Sequence, residues 1–331
     1  LQGLGTRRSV DLHSPDPFDR VADFAPSRSL ANTRGVTSST ALYANDSVDL
    51  GTRWLISGGF RVERFETTYR AWDASGTVTA DLAHEGTLAS GRTSLLVRLT
   101  NAANAYVSYG TTVTPPGESN FQLSATVNNV NNPNVEPQRS GNLEIGAKWD
   151  AAGGRLALNA AAFRTRNRNV IYTIDATTIP PLFNQDDAQH VTGFTVGALG
   201  QVTSRWQVMA NAAWLDARIE SQGTNNHNRV ALTPDASGSL WSTVRVGDRL
   251  TVGGGVRHTG PSYVNVGNTI RIPASTVIDA LAEYPVSQHL TMRLNVTNLT
   301  DAVYVRSVNN NGGRYLPGFA RAVLLSAQLG F

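Results

Sequence analysis

The chain has 331 residues, enough for one large or several small folded units, and charged residues make up only 16% of it, against roughly 25% in an average soluble domain. A formal net charge of +3 gives no field that points to nucleic acid, and the lack of cysteine excludes disulfide scaffolds, thiolate metal sites and cysteine nucleophiles. No apolar run approaches the ~18 residues of a transmembrane helix. The opening LQGLGTRRSVDL lacks the basic segment and apolar core of a signal peptide, so either the protein is cytosolic or its true start lies upstream.

Residues 1–37 show no sustained alternation and read as a loop with a truncated start. From residue 38 onward hydrophobicity repeats every second residue, the signature of half-buried strands. In chain order the predicted strands cover about 38–50, 54–72, 91–100, 104–112, 140–150, 155–172, 188–200, 205–220, 230–247, 249–259, 273–285, 289–300 and 319–331. Trp54, Ile56, Gly58, Phe60 and Val62 oppose Ser57, Gly59, Arg61 and Glu63. Leu143, Ile145, Ala147 and Trp149 oppose Glu144, Gly146 and Lys148, and Leu290, Met292, Leu294 and Val296 oppose Thr291, Arg293, Asn295 and Thr297. In the closing RAVLLSAQLGF, Val323, Leu325, Ala327, Leu329 and Phe331 share one phase. Two residues break the pattern. Asp46 falls on an apolar phase, where a bulge or a different phase is expected, and Trp241 falls on a polar one.

The connections alternate in length. Short ones fall at 51–53, 101–103, 151–154, 201–204, 248 and 286–288. Long ones, rich in Gly, Pro, Asn, Asp and Ser, fall at about 73–90, 113–139, 173–187, 221–229, 260–272 and 301–318. A soluble sandwich has no reason to sort loops by edge, whereas an outer-membrane barrel keeps its periplasmic turns short and its outer loops long. Trp54, Trp149, Trp206, Tyr284 and Phe331 lie beside the short turns on the apolar phase, as an interfacial aromatic girdle would. Arg61, Glu63, Glu144, Lys148, Gln207, Asn211, Arg257, Asp279, Glu283, Arg293 and Gln328 make the other phase polar, as for a lumen. The fold class is therefore all-β, a transmembrane antiparallel β-barrel. Backbone groups in lipid must pair internally, and thirteen antiparallel strands do not close on themselves, so residues 38–331 are expected to form the C-terminal part of a larger barrel.

With these features in place, the segment LNVTNLTDAVYVRSVNNNGGRYLPGFARAVLLSAQLGF resembles the C-terminal end of TonB-dependent siderophore receptors. Asn298, Leu299, Asp301, Tyr304, Tyr315, Pro317, Gly318, Arg321 and Phe331 occupy its motif positions, with Ala320 departing from a common Pro. ALYANDSVDLGTRWLISGGFRVERF, AYVSYGTTVTPPG and NPNVEPQRSGNLEIGAKWD are similar to further blocks of that family, and GGRYLPG is closest to its catecholate-siderophore branch. The resemblance implies twenty-two strands around an N-terminal plug. The present strands would be the tenth to the twenty-second, with the plug and its TonB-contacting segment absent. It also implies uptake of a ferric siderophore, partnership with outer-membrane lipid and lipopolysaccharide, energy from the TonB complex through the missing plug, and recognition of the last strand by the barrel-assembly machinery.

No enzyme signature accompanies these features. His13, His84, His190, His227, His258 and His289 form no ligand-spaced cluster, and no nucleophile elbow supports a triad drawn through His258 and Asp279. The glycines at 253–255 lack the Lys-Ser/Thr of a phosphate loop. Glu63 and Glu283 read as partners in lumen charge pairs. No cofactor is expected, iron travelling as the siderophore complex. An anionic, ring-bearing ferric complex suits arginine and aromatic side chains. Candidates lie where strands rise into long loops: Arg64, Tyr69, Arg70, Trp72, Arg164, Arg166, Arg168, Tyr263, Arg306, Arg314 and Tyr315. The same residues could instead form the outer interface girdle, or bind lipopolysaccharide phosphates or loop carboxylates. Competing readings are a passive porin, an outer-membrane lipase or protease, and a TonB-dependent receptor for haem, cobalamin or sugar.

Overall fold

The computed structural model describes residues 30–117, 121–126, 129, 131–175, 182–221, 223–309 and 313–330. Its strands are β1 Asn32–Leu50, β2 Trp54–Trp72, β3 Val78–Arg98, β4 Ala103–Thr114, β5 Gln138–Asp150, β6 Leu156–Asp175, β7 Leu182–Thr203, β8 Trp206–Glu220 and β9 Ala236–Val246. They continue with β10 Leu250–Thr259, β11 Ser262–Tyr263, β12 Arg271–Ile272, β13 Ser275–Pro285, β14 Leu290–Thr297, β15 Val305–Asn309, β16 Arg314–Pro317 and β17 Ala322–Leu329. Thirteen of them form one sheet in the order β1-β2-β3-β4-β5-β6-β7-β8-β9-β10-β13-β14-β17, so nearly every strand pairs with its neighbour in sequence. β1 and β17 stand at the two ends of that order, and β1 is exposed along nearly its whole length. The pairs β11–β12 and β15–β16 are small hairpins within connections. A turn at Ala151–Gly154 has positive φ at Ala152, Gly153 and Gly154, which lets four residues reverse the chain.

Register explains the alternation. The row Val107, Ile145, Ala162, Phe194 and Trp214 is apolar from strand to strand, and the Phe194 and Trp214 rings stack with centroids 6.0 Å apart. The row Asn104, Lys148, Asn159, Gly197, Asn211, Ser239 and Arg257 is polar or small throughout. The apolar face is not covered by protein: Ile145 is 62% exposed and Leu325 64%. Among the described residues the largest fully buried side chains are only Ile219, Asn298 and Thr67. A sheet that leaves its apolar face open while pairing its backbone is built for a lipid solvent.

Contacts divide the chain into two compact units. One comprises residues up to Thr40, Arg64–Thr87 and Pro115–Val135, and includes buried Phe65, Thr67, Leu123 and Asn132. The other comprises Ala41–Glu63, Leu88–Thr114 and Glu136 to the chain end, and includes buried Ala217, Ile219, Val264 and Val277.

The largest departures from the expected boundaries fall in four places. β1 starts at Asn32, inside the segment expected as loop, and residues 1–29 lie outside the described residues. The long loop expected at 73–90 is a turn at 73–77 followed by strand, because Asp81 and Glu85 replace the apolar phase there. β6 and β7 extend to Asp175 and back to Leu182, and the residues between them lie outside the described set. Residues 230–235, expected as strand, precede β9, and Pro234 there has no N–H for a ladder. Trp241 does lie on the polar face, opposite Gly255 in register, and its ring fills the space a side chain at Gly255 would occupy. Asp46 keeps its place on β1, where its carboxylate accepts the Ser47 N–H at 2.8 Å.

Candidate functional site

The polar face is knitted by charge pairs and hydrogen bonds. Arg61 meets Glu63 at 2.7 Å, Arg98 meets Asp49 at 2.8 Å, and Arg293 pairs with Glu283 opposite it in register. The Tyr106 hydroxyl donates to Glu144 at 2.6 Å, and the Lys148 ammonium sits 5.6 Å from the Tyr106 ring centroid. A groove of about 690 Å³ opens on this face where Gly59, Gly91, Gly110, Ser90 and Ser140 leave room, with Arg61 and Arg92 on its wall.

A second recess, of about 470 Å³, lies at the loop ends of β10 and β13. Its lining includes Arg257, Ser262, Tyr304, Arg306 and Phe319. The connection from β14 to β17 builds it around Asn298, which is 2% exposed and has a positive φ of 49°. The Asn298 side chain donates to the carbonyls of Ala302 (2.9 Å) and Phe319 (2.8 Å) and accepts the Ala302 N–H (2.8 Å). Its backbone N–H donates to Asp279 at 2.8 Å, and Asp279 in turn pairs with Arg257 at 3.1 Å. Asp301 takes the Arg321 N–H at 2.8 Å, which fixes where β17 begins. Gly318 lies against the Tyr304 ring so closely that a Cβ would overlap it. Arg306 falls at the register shift between Val305 and Ser307, and a bulge of this kind re-aims one side chain. Its guanidinium lies 4.7 Å from the Phe319 ring centroid, with no carboxylate partner among the described residues. The recess therefore offers two guanidinium groups, one already balanced by Asp279, beside two aromatic rings. It can hold a planar or ring-bearing anion by charge and stacking.

The sequence candidates separate. Arg306 lines the recess, and Tyr263 neighbours the lining Ser262 while its carbonyl accepts the Leu232 N–H at 2.7 Å. Arg314 and Tyr315 are exposed on the β15–β16 hairpin. Tyr69 and Trp72 are half-buried near the end of β2. Arg64 and Arg70 lie on the strand face opposite buried Phe65 and Thr67, paired with Glu85 (2.9 Å) and with Asp81. Arg164, Arg166 and Arg168 share the face of Leu158, Ala160 and Ala162, so they point away from the polar face, on the side of the interface-girdle alternative. Arg257, Tyr304 and Phe319 were not among the ligand candidates. Tyr304 and Gly318 had a signal, since the Tyr and the Tyr-x-Pro-Gly segment were motif positions, whereas Phe319 had none. His258 and Asp279 lie on opposite faces of the sheet, because His258 opposes Thr276 while Asp279 opposes Gly255 one residue out of phase. They cannot share a triad. Trp54, Trp149, Trp206 and Tyr284 are each more than two-fifths exposed on the apolar face beside short turns, and Phe331 lies outside the described residues.

An antiparallel sheet with one apolar face, one polar face and its larger loops on one edge defines a membrane wall of the outer-membrane type. The family model described as "TonB dependent receptor-like, beta-barrel" matches residues 2–299, and the chain belongs to that family. It is accordingly a β-barrel protein of the outer membrane, in a family of transport receptors. It is similar to the catecholate siderophore receptor Fiu of Escherichia coli O157:H7, 31% identical over 353 residues that cover 98% of this chain and 46% of Fiu. It is also similar to the probable TonB-dependent siderophore receptor PiuA of Acinetobacter baumannii, 28% identical over 279 residues, 80% of this chain and 37% of PiuA. The crystal structure of the ferric-catecholate import receptor Fiu from E. coli K12, closed form, superposes with a TM-score of 0.85 at 30% identity, covering 97% of this chain and 48% of that one. The structure of PiuA gives 0.80 at 25% identity, covering 90% and 44%. The chain thus spans about half the length of the relatives it matches.

Proposed function

We propose that this chain forms part of the wall and outer vestibule of a receptor that captures ferric siderophores, of the catecholate type, for TonB-driven uptake. The observation that carries the reading is the recess where Arg306 stacks on Phe319 beside Arg257 and Tyr304. A ferric catecholate complex is anionic and presents aromatic rings, and both properties are met there. The names of the similar proteins, catecholate siderophore receptor and ferric-catecholate import receptor, agree with that chemistry. Iron enters as cargo within the complex, with no resident cofactor. The work done is capture and release, not bond cleavage. Energy comes from the TonB complex, acting on parts of the receptor beyond these strands.

The test is equilibrium binding of a ferric tris-catecholate complex to the receptor containing this chain, followed by fluorescence quenching. Arg306→Ala and Phe319→Ala are expected to weaken binding about tenfold each, a loss typical of a guanidinium or ring removed from a partly desolvated stacked site. Arg306→Lys, which keeps charge but not the planar stack, is expected to fall between. Unchanged affinity in both alanine variants, with normal folding, would remove the recess from the cargo site.

A further inference from the structure

The connection between β4 and β5 folds back onto the sheet. Its described residues first close on themselves. The Ser124 N–H donates to Asn131 (2.9 Å), the Asn132 N–H to Asn129 (2.8 Å), and the Asn132 side chain to the Thr126 carbonyl (2.9 Å). Leu123 and Asn132 are buried. The 115–135 part of the connection belongs to the same compact unit as the start of β1, the end of β2 and the start of β3. At Gly35 of β1 the Phe121 carbonyl oxygen fills the space that a side chain would occupy. On β2, Thr67 is buried and bonded to Thr37 of β1 at 2.8 Å, and the buried Phe65 ring lies over Gly86 of β3. Loops packed by their own side chains in this way frequently carry function.

One imidazole joins the connection to this wall. The His84 ring of β3 packs on Phe65 with centroids 5.2 Å apart and reaches the Pro133 carbonyl. Its Nε2 is buried without a hydrogen-bond partner. A neutral ring tolerates that enclosure, since one nitrogen can donate to Pro133 while the other carries only a lone pair. A protonated ring does not, because both nitrogens then donate and a charge has left water. Burial accordingly holds the His84 pKa below the usual imidazole value, opposed in smaller degree by the Pro133 carbonyl. No free counter-charge stands on this face. From β2 it carries Glu63, already held by Arg61 at 2.7 Å, and the Tyr69 phenol. Asp81 and Glu85 of β3 alternate onto the opposite face, where they pair with Arg70 and Arg64. Arg92, on the His84 face of β3, lies toward the other end of the strand. The 32–40 part of β1 puts no ionisable side chain on this face, and the described residues of the connection up to Val135 contain none.

We propose that His84 is a pH-sensitive latch: the neutral ring fastens the 131–135 arm of the β4–β5 connection to the wall of β1 to β3, and a second proton on the ring releases it. Above the ordinary imidazole value, about 6.5, the latch contributes its full stability. As pH falls from there toward the depressed folded value, the released form takes up the proton more readily and the latch weakens. Release uncovers Phe65 and Thr67. The device responds to acidity outside the bilayer and is independent of the cargo.

The experiment follows hydrogen exchange at the Ser124, Asn132 and Val135 amides in reconstituted receptor containing this chain, corrected for intrinsic rates. Each of these amides donates to a carbonyl within the connection. Protection is expected to fall about tenfold between about pH 7.5 and about pH 5, while the Asp150 and Arg245 amides at distant turns stay constant. His84→Asn keeps an N–H for the Pro133 carbonyl and does not titrate. It should hold protection within about twofold of the unsubstituted chain at the higher pH and show no fall at the lower. A flat profile in the unsubstituted chain would overturn the proposal. So would the same fall in His84→Asn, or an equal fall at Asp150 and Arg245, which would mean general loosening in acid. Should the variant fail to fold, the ring itself decides, by carbon NMR of labelled histidine. A His84 midpoint below about 6.5 that coincides with the loss of protection supports the latch, and a midpoint at or above that value overturns it.

Discussion

At the scale of single residues, the motif positions near the C-terminus have distinct structural jobs. Asn298 ties three backbone groups of the β14–β17 connection, Asp301 anchors the start of β17, and Gly318 makes room for Tyr304. The sequence pattern named these residues without saying why they are needed, because their partners are distant carbonyls and rings, visible only in three dimensions. Gly318 supplies a sharp test. Gly318→Ala places a methyl group within the Tyr304 ring, and overpacking of this kind costs about 1–3 kcal/mol. The expected result is a lower unfolding temperature in detergent. Adding Tyr304→Ala should recover part of the loss, giving a coupling between the two sites that a double-mutant cycle measures. Additive losses would mean the ring has room to move. Arg306 was named from sequence as one arginine among several; its selection by a bulge was not legible, since a register shift leaves no compositional trace.

At the scale of elements, legibility follows the lipid. Where a strand crosses the bilayer one face must be apolar, so the period of two is strong; the central stretches of β4, β5, β8, β10 and β14 were read close to their observed bounds. Beyond the bilayer that requirement lapses. The stretch 78–90 of β3 carries Asp81, His84 and Glu85 and read as loop, although its backbone pairing continues. The even-numbered parity of Leu156, Leu158, Ala160 and Ala162 also runs straight into Arg164, Arg166 and Arg168. That continuity was present in the sequence and favours the interface-girdle alternative for those arginines. The turn at 73–77 gives a pH-dependent prediction. The Asp73 carboxylate accepts the Ser75 hydroxyl (2.6 Å) and the N–H groups of Thr77 and Ser75 (both 2.9 Å), which hold its pKa below the ordinary carboxylate value. A pKa lowered in the folded state contributes stability that is fully present above the unfolded value, about 4, and is lost as pH falls through the folded value. Hydrogen exchange at the Ser75 and Thr77 amides, corrected for intrinsic rates, should show protection at pH 7 that declines below about pH 4. In Asp73→Asn the decline should disappear. Persistence of the same decline in that variant would assign the pH response to another group.

At the scale of the whole molecule, fold class, strand number and the two opposed faces were legible, because thirteen strands alternating between lipid and polar surroundings impose a regular pattern. The order of the strands follows from their sequential pairing, and β1 and β17 end the sheet. The proposed cargo came from motif resemblance alone, and its test falls on one recess. The account as a whole depends on which face meets lipid. The chain contains no cysteine, so single cysteines can be introduced without background. The most direct measurement is a spin-label scan along β6 from residue 158 to 168 in reconstituted receptor, comparing accessibility to oxygen with accessibility to a water-soluble nickel chelate. Labels at Leu158, Ala160 and Ala162 should be oxygen-rich and lipid-facing, labels at Asn159 and Ala161 should not, and labels at Arg164, Arg166 and Arg168 should rise step by step into the headgroup region. Loss of the two-residue alternation, or oxygen exposure on the Asn159 side, would contradict the assignment of the faces and with it the proposed vestibule site.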